Sequence, residues 1–146
     1  MPAMLVRVTL AAALVFSSVA CSMWSKPAKG WSGATGGENI EKLFWDDVVN
    51  KDFAKVEAHV ASSFSGSGPN GPMDRAAFLR QLHAQAITAV TLTDCTNHLN
   101  GADVIIACIA HHAGVTPEKV SSLSVWQEYK KGWLLVAHSE VPIANQ

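Results

Sequence analysis

The chain has 146 residues, 49% of them apolar, with 11 Lys and Arg against 12 Asp and Glu and a formal net charge of −1. That is enough for one domain with a core, and it excludes a nucleic-acid surface, which needs clustered cations. The longest basic run, Lys130-Lys131, sits beside Gly132 in an expected hairpin turn.

Residues 1–20 read as an export signal. Arg7 is a short positive region, and Val8 to Val19 is an uncharged apolar run. The run is too short for a transmembrane helix, which needs ~20 apolar residues. The small residues Ser18 and Ala20 fit a cleavage site. Ser18-Val19-Ala20-Cys21 resembles a bacterial lipobox, whose cysteine receives lipid, although Ser18 stands where that motif usually has Leu. Residues 21–37 are rich in Ser, Gly, Lys and Ala, the composition of a flexible tether. The expectation is a membrane-anchored lipoprotein of the cell envelope, touching the membrane through its anchor only. The alternative is a soluble periplasmic or secreted protein.

The domain is expected over 38–146. Ile40, Leu43, Phe44 and Val48 give Glu38 to Asn50 a helical face. Asp52 can cap a second helix that turns Phe53, Val56 and Val60 inward. Ser62 to Pro72 reads as a Ser/Gly/Pro loop, with at most a short strand at Phe64. Asp74 caps a third helix, with Met73 and Phe78 as its hydrophobic staple and Phe78, Leu79 and Leu82 as its apolar face. Four strands follow, Ile87–Leu99, Val104–His112, Val120–Lys130 and Trp133–Val141, rich in Val, Ile, Thr, Leu and Trp. Helices followed by consecutive antiparallel strands make an α+β fold.

The three cysteines are Cys21, Cys95 and Cys108. If Asn100-Gly101-Ala102-Asp103 forms a hairpin loop, Leu99 faces Val104, and counting outward sets Cys95 opposite Cys108. Directly opposed Cβ atoms suit a disulfide, which leaves Cys21 as the odd cysteine for lipid. The alternative is a pair of buried thiols.

The order of elements, and the closing strand Trp133-Leu134-Leu135-Val136-Ala137-His138-Ser139 above all, resembles the nuclear-transport-factor-2-like superfamily, including its SnoaL-like and ketosteroid-isomerase-like members. The resemblance covers Glu38 to Ile143 and implies a cone: N-terminal helices in the concave face of a curved, cystatin-like antiparallel sheet, often with an apolar pocket at the mouth. Isomerase members carry a general base on the short strand after the second helix and a Tyr on the first helix. Here Ala61–Gly66 holds no acid, the first helix has no Tyr, and Tyr129, the chain's one tyrosine, lies near a turn. Dehydratase-type members pair a helix carboxylate with sheet histidines, and the counterparts here are Asp46 or Asp47 with His111, His112 and His138. Alternation puts one of His111 and His112 on the concave face, and it gives His138 the face of Leu134 and Val136. No helical histidine pair and no Cys-x-x-Cys is present, so no metal or other cofactor is expected.

Phe64, Trp126 and Trp133 are the candidate ligand-lining aromatics, with core filling as the alternative for the two tryptophans. Val104 to Ala110 and Leu134 to Ala137 are apolar on both faces, so a second surface must cover the sheet. A second copy is expected, giving a homodimer through the sheet face. Three functions compete: a non-catalytic envelope module holding a small apolar ligand or a partner, an isomerase- or dehydratase-type enzyme, and a structural lipoprotein whose cone is filled by its own side chains.

Overall fold

The computed structural model describes residues 37–130 and 132–144. The leader, Cys21 and nearly all of the tether lie outside them. Three helices, α1 (Glu38–Val49), α2 (Phe53–Ala58) and α3 (Arg75–Ala84), pack on a sheet of β1 (Val60–Gly68), β2 (Gly71–Asp74), β3 (Ala89–Asn100), β4 (Asp103–Ala113), β5 (Lys119–Tyr129) and β6 (Gly132–Pro142). The strand order is β2-β1-β6-β5-β4-β3. Every ladder is antiparallel except β1 with β6. This is the α+β architecture expected, with helices in the concave face of a curved sheet.

The apolar stripes of the helices build the core. Ile40, Phe44, Trp45 and Val48 of α1 are buried, and Leu43 is half-buried. They meet Phe78, Leu79 and Leu82 of α3 and the inward residues Val104, Ile106, Trp126 and Leu135 of the sheet. The Asp74 carboxylate accepts from the Ala77 amide at 2.7 Å, the expected cap. Asp52 makes no side-chain cap; its carboxylate is drawn to Lys55 instead.

The stretch expected to be a loop is a hairpin, β1–β2. Its Ser and Gly residues hide the strand signal, and pairing with β6 imposes the strand. Gly66 is required there: a Cβ would stand 2.8 Å from the His138 carbonyl oxygen and 2.9 Å from the Phe64 ring.

The β3–β4 hairpin has the expected register. Leu99 pairs with Val104 and Asn100 with Asp103, leaving Gly101 and Ala102 as the turn. Cys95 and Cys108 form a disulfide. The register shifts between Thr93 and Thr96, where Asp94 takes a positive φ of 52°. That bulge lies beside the bridge. A second bulge, between Val125 and Trp126 on the β5–β6 ladder, pairs Trp126 with Leu135 but Val125 with Ala137. The extra residue, Val136, reverses the alternation. His138 therefore shares its buried face with Leu135, not with Leu134 and Val136 as simple alternation implies.

Candidate functional site

The inner face of the sheet carries a chain of polar groups that starts on α1. Glu41 lies on the same helical face as Phe44, Trp45 and Val48 and is only 1% exposed. Its Oε1 accepts from Trp45 Nε1 at 3.1 Å and from Ser124 Oγ at 2.8 Å, and its Oε2 accepts from Trp126 Nε1 at 2.7 Å. Three donors from α1 and β5 compensate a carboxylate that would otherwise be costly to bury. Ser124 passes the chain on: its Oγ stands 2.9 Å from His138 Nδ1. Because the Ser124 hydroxyl donates to Glu41, it accepts from His138, so His138 carries its proton on Nδ1.

Beyond His138 the pattern changes. His138 Nε2 is 3.2 Å from Glu140 Oε1, and His112 Nε2 is 3.6 Å from the same oxygen. All three atoms are buried and none has a hydrogen-bond partner. Both imidazoles lie against the Trp45 indole, at centroid distances of 4.7 Å for His112 and 5.9 Å for His138. Their titration is pulled in opposite directions. Burial lowers His112 below its usual 6.5, and the Glu140 charge only partly offsets this. Burial also acts to lower His138, but the close contact with Glu140 and its charge, with the charge of Glu41, outweigh it and raise the group. Burial acts to raise Glu140, yet His138 and then His112 hold it below the usual carboxylate range. The site thus sets a Glu140 that favours its charged form beside a His138 that holds its proton more firmly than an ordinary imidazole and a His112 that holds it less firmly.

This trio opens on the mouth of the cone. A recess of about 60 Å³ lies between Gln81, Gln85, Pro69, Pro117, His112 and Glu140. An adjoining pinhole of about 10 Å³ lies among Trp45, Phe78, His138 and Glu140, and it also touches Gln81 and Gln85. Among the described residues no group of three or more His, Cys, Asp or Glu is arranged to hold a metal ion.

The residues singled out from sequence are dispersed. Asp47 lies at the helix rim, 3.9 Å from Lys55 Nζ, away from the histidines; the carboxylates beside them are Glu41 and Glu140. Asp46 is exposed in a groove between α1 and β3. His111 points to the outer face, into a separate recess with Val115 and Lys119; its neighbour His112 is the inward residue. Phe64 stacks on Phe78 at 4.6 Å, and Trp126 is fully buried against Phe44 at 5.6 Å. Both belong to the core, and neither lines the recesses described here. Trp133 borders an open apolar recess at the β5–β6 turn with His59, Tyr129 and Leu134. Glu41 and Glu140 went unread, although spacing offered both. Glu41 falls between Ile40 and Phe44 on the core stripe, and Glu140 follows His138 by one strand repeat.

No family model and no curated protein matches the sequence. Solved structures do match the fold. A nuclear-transport-factor-2-like protein from Cytophaga hutchinsonii is 18% identical, with a TM-score of 0.66 over 72% of this chain and 93% of its own. One of unknown function in nutrient uptake, from Rhodospirillum rubrum, is 18% identical, with a TM-score of 0.65 over 73% and 97%. The CaMKII hub of S. rosetta is 16% identical, with a TM-score of 0.61 over 72% and 92%. The domain therefore has the nuclear-transport-factor-2-like fold, a fold that hosts unrelated functions.

Proposed function

We propose that the chain is an exported cell-envelope protein, held at a membrane by lipid on Cys21 through the tether 21–37, and that its domain is a non-catalytic binding module acting as a homodimer. The observation that carries this reading is the contrast between the two faces of one sheet. The inner face is filled by Phe44, Phe64, Phe78 and Trp126, which argues against a large apolar ligand in the cone. The outer face presents Ile105, Ile109, Leu123, Val125 and Val141, with Leu123 44% and Val141 62% exposed. A contiguous apolar patch of this kind is a contact surface. One structural neighbour is named a hub, which is in keeping with self-association.

Light scattering on the domain is expected to give a dimer, and Leu123→Asp a monomer with unchanged far-UV circular dichroism. A wild-type monomer at high micromolar concentration overturns the dimer. Mass spectrometry of the mature N-terminus is expected to find diacylglyceryl-Cys21. An unmodified cysteine reduces the protein to an exported soluble one.

One observation favours a second reading, an acid–base enzyme of the dehydratase or isomerase sort: the His138–Glu140 pair, 3.2 Å apart, stands beside a recess. Turnover of a hydroxy-carbonyl or enolisable substrate, with a pH profile abolished by His138→Asn, would establish it over the binding module.

A further inference from the structure

The polar trio at the mouth is a site in its own right, and three properties narrow what it takes. The first is unsatisfied capacity. His112 Nε2, His138 Nε2 and Glu140 Oε1 are buried and face one another at 3.6 and 3.2 Å without completing a hydrogen bond, with side chains 3%, 3% and 16% exposed. Native interiors rarely leave such atoms unused. The second is charge. The residues bordering the recess and its pinhole include one carboxylate, two imidazoles and the amides of Gln81 and Gln85, but no Lys or Arg. Glu41 lies behind His138 through Ser124, so two acids stand on this side of the volume and no Lys or Arg lining it balances them. The third is shape and surface. The recess holds only a few non-hydrogen atoms, and the pinhole beside it, lined by Trp45 and Phe78, is about the size of one water at most.

We propose that this recess binds a primary ammonium group, with the Glu140 carboxylate as counter-ion, Gln81 and Gln85 as hydrogen-bond acceptors and the His112 imidazole beside it. An ammonium brings three donors and no acceptor, matching a Glu140 oxygen and a His112 nitrogen that complete no hydrogen bond of their own. An anion would face Glu140 and Glu41 with only His138 to receive it. The group can arrive on a free small amine or on a lysine side chain of a partner protein. This deepens the binding-module reading by naming the chemistry of its ligand. It does not depend on the dimer, because the outer sheet face is on the other side of the sheet.

A distinctive pH dependence follows. The titratable groups facing His138 are Glu41 on α1, His112 on β4 and Glu140 on its own strand; α3 presents Phe78 and β5 presents Ser124. The His138 imidazolium and the bound ammonium compete for Glu140. Binding strengthens as pH rises through the raised His138 ionisation and is lost only where an amine deprotonates, at about 10.

The test follows the imidazole resonances of the folded domain by nuclear magnetic resonance, in the wild type and in Leu123→Asp, during titration with methylammonium, Nα-acetyl-lysine amide and acetate. Methylammonium is expected to shift the His112 and His138 signals in both proteins and to bind more tightly above the His138 ionisation than below it. Glu140→Gln, checked for an unchanged fold by circular dichroism, is expected to weaken binding about tenfold or more. Response to both amines indicates a free-amine ligand, and response to the lysine amide alone indicates a partner's side chain. No response to either amine, tighter binding of acetate, or full affinity in Glu140→Gln overturns the site. Since Leu123→Asp separates ligand binding from self-association, loss of the dimer and loss of the ammonium site are told apart.

Discussion

Glu41 and Glu140 are both acids on the inner side of one sheet, about one histidine apart, yet their surroundings differ. Glu41 sits under the aromatic core with a donor on every side: two indole N–H groups and a serine hydroxyl. Glu140 sits at the mouth, where its Oε1 faces two imidazole nitrogens without completing a hydrogen bond to either. A saturated buried carboxylate is part of the framework, fixing α1 against β5. One that keeps unused capacity next to a recess is available to something else. The two ends of the cone thus divide stability from binding, and substitutions at each end test that division.

The largest expected effect is at the closed end. Glu41→Ala strands the N–H groups of Trp45 and Trp126 and the Ser124 hydroxyl in a dry interior and leaves a void. Each orphaned donor costs about 1–3 kcal/mol, so the variant is expected to lose about 3–5 kcal/mol in urea unfolding. A loss below about 1 kcal/mol would show that water reaches this end and would break the comparison.

The framework end was the more legible in the sequence, and even there Glu41 was not. The four long strands could be read because β-branched and aromatic residues alternate between turn signals. The disulfide followed from one turn signal, Asn100-Gly101-Ala102-Asp103, because the register it sets holds outward to Thr96 and Ala107, next to Cys95 and Cys108. The β1–β2 hairpin was hidden because its strand character comes from pairing with β6, not from its own Ser and Gly residues. Glu41 was hidden because an acid in a helix reads as solvent-facing, and only the tertiary arrangement of Trp126 and Ser124 makes it a core residue. His138 shows a third kind of limit. Its inward orientation depends on the Val136 bulge, an inserted residue that periodicity alone cannot locate.

Ser124 joins the two ends, so its removal is expected to disturb both. Ser124→Ala deletes a hydrogen bond to Glu41 and one from His138, with a small change in volume. A loss of about 1–2 kcal/mol is expected, together with a lowered His138 ionisation in a histidine titration, since His138 then loses its contact with the Glu41 branch. If stability falls while the His138 titration stays in place, the two carboxylates are independent and the chain through Ser124 carries no influence.

The smallest effect on stability is expected at the mouth, where pH is the sharper probe. His138 is raised in the folded state, so its contribution is complete below its unfolded value near 6.5 and is lost as pH rises through the higher folded value. His112 is lowered, so the unfolded chain binds its proton more readily, and stability falls as pH drops below 6.5. Glu140 is lowered as well, so its contribution is present above its usual 4.5 and fades as pH falls through the folded value. The alkaline arm thus belongs to His138 and the acid arm to His112 and Glu140, with a stability maximum between them, near pH 6.5. Glu140→Gln removes the partner that raises His138, and it is expected to move the alkaline arm to lower pH while changing stability at the maximum by less than about 1 kcal/mol. Glu41→Ala lowers the whole curve instead. If Glu140→Gln proved as damaging as Glu41→Ala at every pH, Glu140 would be framework too, and the division between the closed and open ends would fail.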